Sequence, residues 1–414
     1  MHGFGRSVAL VGASTLLLLL GCSLDSVPRV EAAPITEPEV VATPTPSLPP
    51  PPAPVAEPEP EAPSKADSLE LTFVGDVVLG RYLSNEHFAE MHAPEADPFF
   101  AVRTQLAADV VVGNLESPVM FTLPDRSPSR NEHRFAGSAA HVGQLVTGGF
   151  TVMSLANNHY FDLGVDGQLE SPRVLAEAGL FAIGASRLEP PLVRVETLET
   201  RGWRIGFIAF ATRQNSAGDP NGPKLPLLTL RDLYDLVVPL VEQARADHDL
   251  LIVEVHWGDE YVDDPGLSRR LAAQRLIEAG VDLLIGHHPH VLQAIELHQS
   301  GAERDGLIAY SLGNFLFPRA DHPPGLSGVL RVRYQAIADA RPCLEQARLH
   351  PVVSKRVPGW HPEAATSFSA EKVRDRVVPL SRATGTHWIR EGEPSDPARG
   401  EDLLVTGLRE CPDL

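Results

Sequence analysis

From Leu69 onward, short runs of β-branched and aliphatic residues alternate with helical stretches, and this alternation restricts the fold more than any other feature. The runs are Leu69–Val74, Asp109–Val112, Thr151–Leu155, Arg204–Ala209, Leu250–Val255, Asp282–Ile285 and Leu307–Tyr310. Strands that are apolar almost throughout are buried on both faces, which requires helices packed over a sheet. The intervening stretches supply them. Ser268–Ala279 reads as a helix with Ser268 as its N-cap and Gly280 just past its end, and Val174–Ala178 stops at Gly179 before a further strand, Leu180–Ile183. The expected class is α/β. After Leu326 come strand-like pieces, Gly328–Tyr334 and Ala347–Val353, then a charged stretch and a last strand near Asp402–Leu408. This tail reads as strands added to the domain's edge with a loop-rich end.

In open α/β sheets, ligand sites gather beyond the carboxyl ends of strands. Polar residues fall there repeatedly in this chain. The strand ends run into Gly75-Asp76, Gly113-Asn114-Leu115-Glu116, Ala156-Asn157-Asn158-His159, His256-Trp257-Gly258, Gly286-His287-His288-Pro289-His290 and Ser311-Leu312-Gly313-Asn314-Phe315. Each taken alone has a bland reading. Gly-Asp after a strand is a common turn, Asn pairs favour left-handed loop conformations, and a lone histidine such as His256 is often a hydrogen-bonded core residue. Three imidazoles in four residues are harder to bury without partners. The recurrence of Asp, Glu, Asn and His at successive strand ends points to a divalent cation, since these are the donors such ions prefer.

The segment ahead of the strands has a different character. Residues 1–22 carry Arg6, an apolar run from Val8 to Leu20, and the ending Leu19-Leu20-Gly21-Cys22. This is a signal-peptide pattern, and its ending resembles a bacterial lipobox, in which Cys22 would receive lipid and become the mature N-terminus. An ordinary secretory signal with an incidental cysteine is the alternative. Ser23 follows rather than Asp, which favours the outer membrane if the envelope is Gram-negative. Residues 23–68 hold 13 of the chain's 38 prolines, and eight acids against Arg29 and Lys65 give a local charge of −6. Proline lacks an amide donor and fixes φ, so this stretch reads as an extended acidic linker.

The whole chain carries a net charge of −19 with no basic stripe. That argues against nucleic acid as a partner, because phosphate neutralisation supplies most nonspecific affinity. An acidic polymer would be repelled at long range, so any polyanion must meet a local basic or metal-bearing cleft. Three cysteines are too few for a disulfide scaffold. Cys343 and Cys411 could pair in an oxidising compartment, which the sequence leaves open.

The ordered segments GDVVLGR, GNLESP, SLANNHYFDLG, VEVHWGDEY, GHHPHVLQ and YSLGNFLF resemble those of CapA-type poly-γ-glutamate capsule-synthesis proteins across about residues 70–335. The resemblance implies a fold like that of calcineurin-like metallophosphoesterases, a four-layer α/β/β/α sandwich around a metal centre. It implies domains at 69–335 and, as an extension, 336–414. Carried over residue by residue, it makes Asp76, Glu116, Asn158, His256, His288 and His290 metal ligands, with Mn, Zn, Fe or Mg as the cofactor. His159 would then contact the reacting group. Two positions depart from the phosphoesterase pattern: Val78 stands where a histidine follows the first aspartate, and Gly113-Asn114 replaces Gly-Asp, leaving Glu116 as the nearest carboxylate.

A cation so held can lower the pKa of bound water and polarise a phosphoryl or acyl oxygen. His159 could protonate a leaving group, and Asp162 either orients it or caps the next segment. Arg81 and Arg134 are candidate clamps for a carboxylate or phosphate, or surface ion-pair partners. Asn314 either lines the cleft beside substrate or satisfies a turn. Three functions compete: a lipid-anchored envelope protein performing a metal-dependent hydrolytic or transfer step on an anionic polymer with its synthesis machinery, a noncatalytic polymer-binding scaffold, and a phosphoesterase acting on phosphate esters.

Overall fold

The computed structural model describes residues 65–80, 93, 95–124, 134–190, 192–216, 218–219, 221–301, 304–338, 340–390 and 401–412. Cys22, the leader, Arg81 and the linker up to residue 64 lie outside the described residues. No helix among the described residues is long and apolar enough to cross a membrane. Residues 65–68, read as linker from the sequence, already belong to the folded unit. The Ala66 amide donates to Arg201 O, and Lys65 Nζ lies 2.7 Å from Asp249 Oδ1.

Two large sheets dominate. The first comprises β1 (Ser68–Val77), β2 (Val110–Leu115), β3 (Val152–Ser154) and β4 (Phe181–Ile183), all mutually parallel. The second has β5 (Glu196–Thr200), β6 (Trp203–Ala211), β7 (Leu250–His256), β8 (Leu283–His287), β9 (Ile295–Ser300) and β10 (Arg304–Ala309), in the order β9-β10-β8-β7-β6-β5. Its four central strands are parallel and its two edge strands antiparallel. The tail extends the first sheet beyond β1 with β11 (Leu326–Gln335), β12 (Cys343–Lys355), β13 (His387–Arg390) and β14 (Leu403–Thr406), giving β13-β14-β12-β11-β1-β2-β3-β4.

Period-two alternation explains the layering. Leu69, Leu71 and Phe73 of β1, Val110 and Val112 of β2, Leu250 and Ile252 of β7, and Leu283 and Ile285 of β8 share one core between the sheets. The opposite faces are covered by helices. Val74, Val111 and Met153 pack with α1 (Ala139–Gly148) and α2 (Gly164–Glu177). Ile208, Val253 and Leu284 pack with α3 and with α4 (Leu267–Ala279). Here α3 is built from Leu230–Asp232, a π-helical turn Leu233–Val237, and Val238–Ala244. The architecture is a four-layer α/β/β/α sandwich.

Two local readings need correction. Helix α4 begins at Leu267 and not at Ser268, because Gly266, at φ 81°, makes the turn into the helix that Ser268 was expected to cap. The charged stretch in the tail is a 16-residue helix, α5 (Ser367–Arg382), rather than loop. Glu371 and Asp375 face solvent, the largely buried Arg374 and Arg376 pair with Glu401 and Asp263, and Ala370, Val373 and Val377 join the core between the sheets. Gly179, at φ 80°, does follow the end of α2, and Gly280 closes α4 with its amide on Leu276 O and Ile277 O.

Cys343, at the start of β12, is disulfide-bonded to Cys411 across 68 residues, pinning the end of the tail to the sheet. A crosslink of this span stabilises a fold by about 2–4 kcal/mol, mainly by restricting the unfolded chain. The Cys343→Ser/Cys411→Ser double variant is expected to lose that amount in urea unfolding. An unchanged midpoint would show that β14 stays docked without the bond.

Candidate metal centre

Beyond the apolar part of each central strand, the row facing the other sheet turns polar. In β2 the row Val110, Val112 continues through Asn114 to Glu116. In β7, Leu250 and Ile252 are followed by Glu254 and His256, and in β8, Leu283 and Ile285 by His287. In β1 a register shift between Phe73 and Asp76 re-aims the strand, and Asp76 pairs with Asn114 on one side and Asn314 on the other. Two glycines allow these strands to approach their neighbours. A Cβ on Gly75 would sit 1.9 Å from Gly313 O, and one on Gly286 2.0 Å from Tyr310 O.

Asp76 is fully buried. Its Oδ1 accepts from Asn114 Nδ2 at 2.8 Å and lies 3.4 Å from His287 Nδ1, and its Oδ2 lies 3.1 Å from His290 Nδ1. Burial pushes this carboxyl up, but the hydrogen bonds and charges of His287 and His290 more than reverse it, holding it well below the usual range. Glu116 is also fully buried, and neither of its oxygens has a hydrogen-bond partner among the described residues. Burial, reinforced by the nearby Asp76 charge, pushes it up to about 7.

The imidazoles surround Glu116. His256 Nε2 and His290 Nε2 each lie 3.8 Å from Glu116 Oε1, and His159 Nε2 lies 4.0 Å away. His256 Nε2 also contacts Asn158 Oδ1 at 2.8 Å. His288, ring centroid 4.8 Å from that of His256, has a buried Nδ1 without a partner among the described residues. Burial, with the charge of His290, lowers His288 to about 3, and burial likewise holds His256 well below its usual value, so both rings are neutral and ready to donate a lone pair. His290 is the opposite case. Burial opposes its charge, yet Glu116 and Asp76 hold it up at about 9. His288 and His290 both have positive φ (95° and 56°), a conformation costing roughly 1–3 kcal/mol per residue and found where a site over-determines the backbone.

Ligand atoms of Glu116, His256 and His288 lie within 4.8 Å of one another, as do those of Asp76, Glu116 and His290, and of Glu260, His288 and His290. The donors fit a divalent cation on their own chemistry. A carboxylate with both oxygens unpartnered, beside a buried imidazole nitrogen without a partner, is costly unless a positive ion satisfies it. Five of the six expected ligands belong to these groups, and Asn158 joins them through His256.

The other candidates separate clearly. His159 Nδ1 is 2.7 Å from Asp162 Oδ2, which also accepts from the Phe135 amide at 2.7 Å, so Asp162 orients the histidine. His159, Asp162 and Arg134 line a cleft of about 400 Å³ together with Tyr261 and Arg319. Asn314 does not meet that cleft. It is fully buried, its Oδ1 lies 2.9 Å from His290 Nδ1, and its Nδ2 donates to His290 O and Pro324 O. It supports the His290 ring rather than a substrate. Val78 packs with Phe135 and Phe317 in a small apolar cluster.

The sequence reading overlooked Asn114, Asn157, Glu254 and His287 as parts of the centre. Glu254 Oε2 lies 2.8 Å from His287 Nε2, and Asn157 Nδ2 donates to Asn114 Oδ1 at 3.1 Å. Alternation could have found Glu254. It occupies the same inward row as Leu250 and Ile252, where a charge needs a partner.

Comparison with known proteins agrees in family. The model of the family described as bacterial capsule synthesis protein PGA_cap matches residues 70–319. The PGA biosynthesis protein CapA of Bacillus subtilis is 31% identical over 264 residues, 61% of this chain and 64% of that one. The capsule biosynthesis protein CapA of Bacillus anthracis is 29% identical over 267 residues, 61% and 60%. The chain thus spans less than two thirds of either relative's length. Among solved structures, a 5'-nucleotidase from Candida albicans aligns over 64% of this chain and 48% of its own, at 12% identity and a TM-score of 0.36.

Cation binding at this centre must displace protons from His290 and Glu116, held at about 9 and about 7. Affinity for Mn²⁺ is therefore expected to rise with pH between 7 and 9, with net proton release in calorimetry across buffers of different ionisation enthalpy. A pH-independent affinity would place the ion elsewhere.

Proposed function

The chain belongs to the bacterial capsule synthesis protein PGA_cap family, and on that premise we propose that it is a CapA-like component of capsule or poly-glutamate synthesis, performing a metal-dependent hydrolytic or transfer step on an anionic envelope polymer. One observation carries the catalytic part: the buried Asp76, Glu116, His256, His288 and His290 cluster adjoins an oriented His159–Asp162 pair at a solvent-open cleft. Asp76, Glu116, Asn158, His256, His288 and His290 would hold the cation. When bound, it supplies Lewis acidity that polarises an acyl or phosphoryl oxygen.

The protein's own groups supply the rest. Asp162 fixes the His159 ring through Nδ1, which leaves Nε2, 3.3 Å from Asn215 Nδ2, facing the cleft as the atom that exchanges a proton with substrate. Arg134 and Arg319 line the same cleft, with the Arg319 guanidinium 5.5 Å from the Tyr261 ring centre. Two guanidinium groups beside the centre give a polyanion a local attraction that the chain's net charge of −19 does not. A second cleft of about 500 Å³, lined by Arg213 and His288, meets the first at Asn215 and Glu260. Two clefts joined at the metal centre suit an extended chain better than a compact ester. The apolar packing of Val78, where phosphoesterases carry a histidine, also disfavours the phosphate-ester reading.

Export and tethering through Cys22 complete the proposal. They rest on the Leu19-Leu20-Gly21-Cys22 ending and the proline-rich acidic stretch after it, which together suit a domain held away from a membrane.

Substitutions at the two kinds of histidine are expected to differ in kind. His290→Ala should lower bound metal and the thermal midpoint together. His159→Ala should keep metal near one wild-type equivalent while polymer turnover or capsule output falls by about 10²–10⁴. Equal metal loss in both variants would make His159 a ligand, and unchanged output in both would favour a scaffold.

Replacing Cys22 with Ala is expected to move the exported protein from the membrane to the soluble envelope fraction. Retention on the membrane with the leader intact would remove the lipid tether from the proposal.

A further inference from the structure

At the end of the sandwich where the parallel strands begin, opposite the metal centre, two cavities of about 1030 and 860 Å³ adjoin each other. They share a rim of Ile337, Ala340, Arg341 and Pro342. Most of this rim follows residue 319, beyond the stretch matched by the family model.

In and around this basin, several buried donors have no acceptor among the described residues. One Nη of Arg304 donates to Ile277 O, while the other, Nη1, is buried and has no partner among the described residues. The Tyr334 hydroxyl, on a residue 1% exposed, likewise has no partner, and neither does Nε of Arg245. A buried donor left unmatched costs about 1–3 kcal/mol, and a concentration of them at one cavity is uncommon.

The carboxylates nearby among the described residues do not answer these donors. Asp282 is engaged by Arg245 Nη1 at 2.5 Å and by the Leu251 amide, and Asp305 is engaged by Arg409 Nε at 2.9 Å. Glu242 pairs with Arg275 at 3.2 Å. Arg304 and Arg341 have no carboxylate partner among the described residues, while Asp67 and Glu410 stand exposed at the rim. Burial lowers the Arg341 guanidinium from its usual value, and the charges of Arg245 and Arg304 add to this, so the three cations lie close enough to repel one another. An acceptor carrying negative charge would relieve both the repulsion and the unmatched donors.

We propose that this basin is a binding site for a small oxyanion, a carboxylate or phosphate group, received by Arg304 Nη1 and the Arg341 guanidinium. It would act independently of the metal centre, at the opposite end of the sandwich. Guanidinium groups match the planar edge of either anion.

The test is calorimetric titration of the purified full chain, stripped of metal with EDTA and held at constant ionic strength, with inorganic phosphate and separately with acetate. One saturable site per chain is expected, weakened about tenfold or more in Arg341→Gln. His290→Ala, at the opposite end of the sandwich, should bind as wild type at temperatures well below its lowered thermal midpoint. Arg341 is exposed and has no ion-pair partner among the described residues, so its variant is expected to keep the wild-type thermal midpoint and remains informative if Arg304→Gln fails to fold. Saturable binding of phosphate alone assigns a phosphate group, and saturable binding of acetate assigns a carboxylate. No saturable binding of either anion, equal affinity in Arg341→Gln, or loss of binding only in His290→Ala would overturn the proposal.

Discussion

The arrangement depends on one buried charge. Asp76 has no exposure to water, and an isolated carboxylate in such a place would be protonated or would unfold its surroundings. It stays ionised because Asn114, His287 and His290 surround it. Each of those partners is fixed in turn, Asn114 by Asn157, His287 by Glu254 and His290 by Asn314. These partners come from both sheets and from the loops between them. The charge therefore ties the register of β1 to that of β2, β7 and β8, and the two sheets cannot slide past each other without stranding it.

The metal centre and the hydrophobic core are one structure in two chemistries. Along β2, β7 and β8, the rows that fill the core between the sheets continue, two residues at a time, into the polar centre. Close packing at the apolar end holds the strands at fixed spacing, and that spacing brings Glu116 within 3.8 Å of imidazoles on β7 and on the loop after β8. Preorganisation here is a property of sheet packing, and it would let a cation be received at the candidate centre with little rearrangement. The tail contributes from the side. Its helix α5 closes the core between the sheets, and its disulfide fixes the last strand near the basin at the far end.

Much of this was legible in the amino-acid sequence, for a physical reason. Apolar runs of strand length separated by helices admit few layer arrangements, and polar residues just past such runs fall on one side of a parallel sheet. Those two patterns marked the polar strand ends, and the resemblance to capsule-synthesis proteins singled out Asp76, Glu116, Asn158, His159, His256, His288 and His290 among them. Asn314 was visible as well, but its role was not. Whether an amide faces a cleft or an imidazole ring depends on a neighbour 24 residues away in sequence.

What only the tertiary structure decided are the pairings between distant segments. The sequence determined that the chain would form helix-covered sheets with metal-type donors at their carboxyl ends, because alternation and residue chemistry are local properties. It did not determine that Glu254 would hold His287, that Cys343 would meet Cys411, or that α5 would close the core. Nor did it reveal the donors of Arg304 and Tyr334 at the opposite end, since an unmatched donor is defined by everything folded around it. Each of these depends on which side chains the packed sheets leave within reach. That is set by strand register and layer spacing, properties of the whole sandwich.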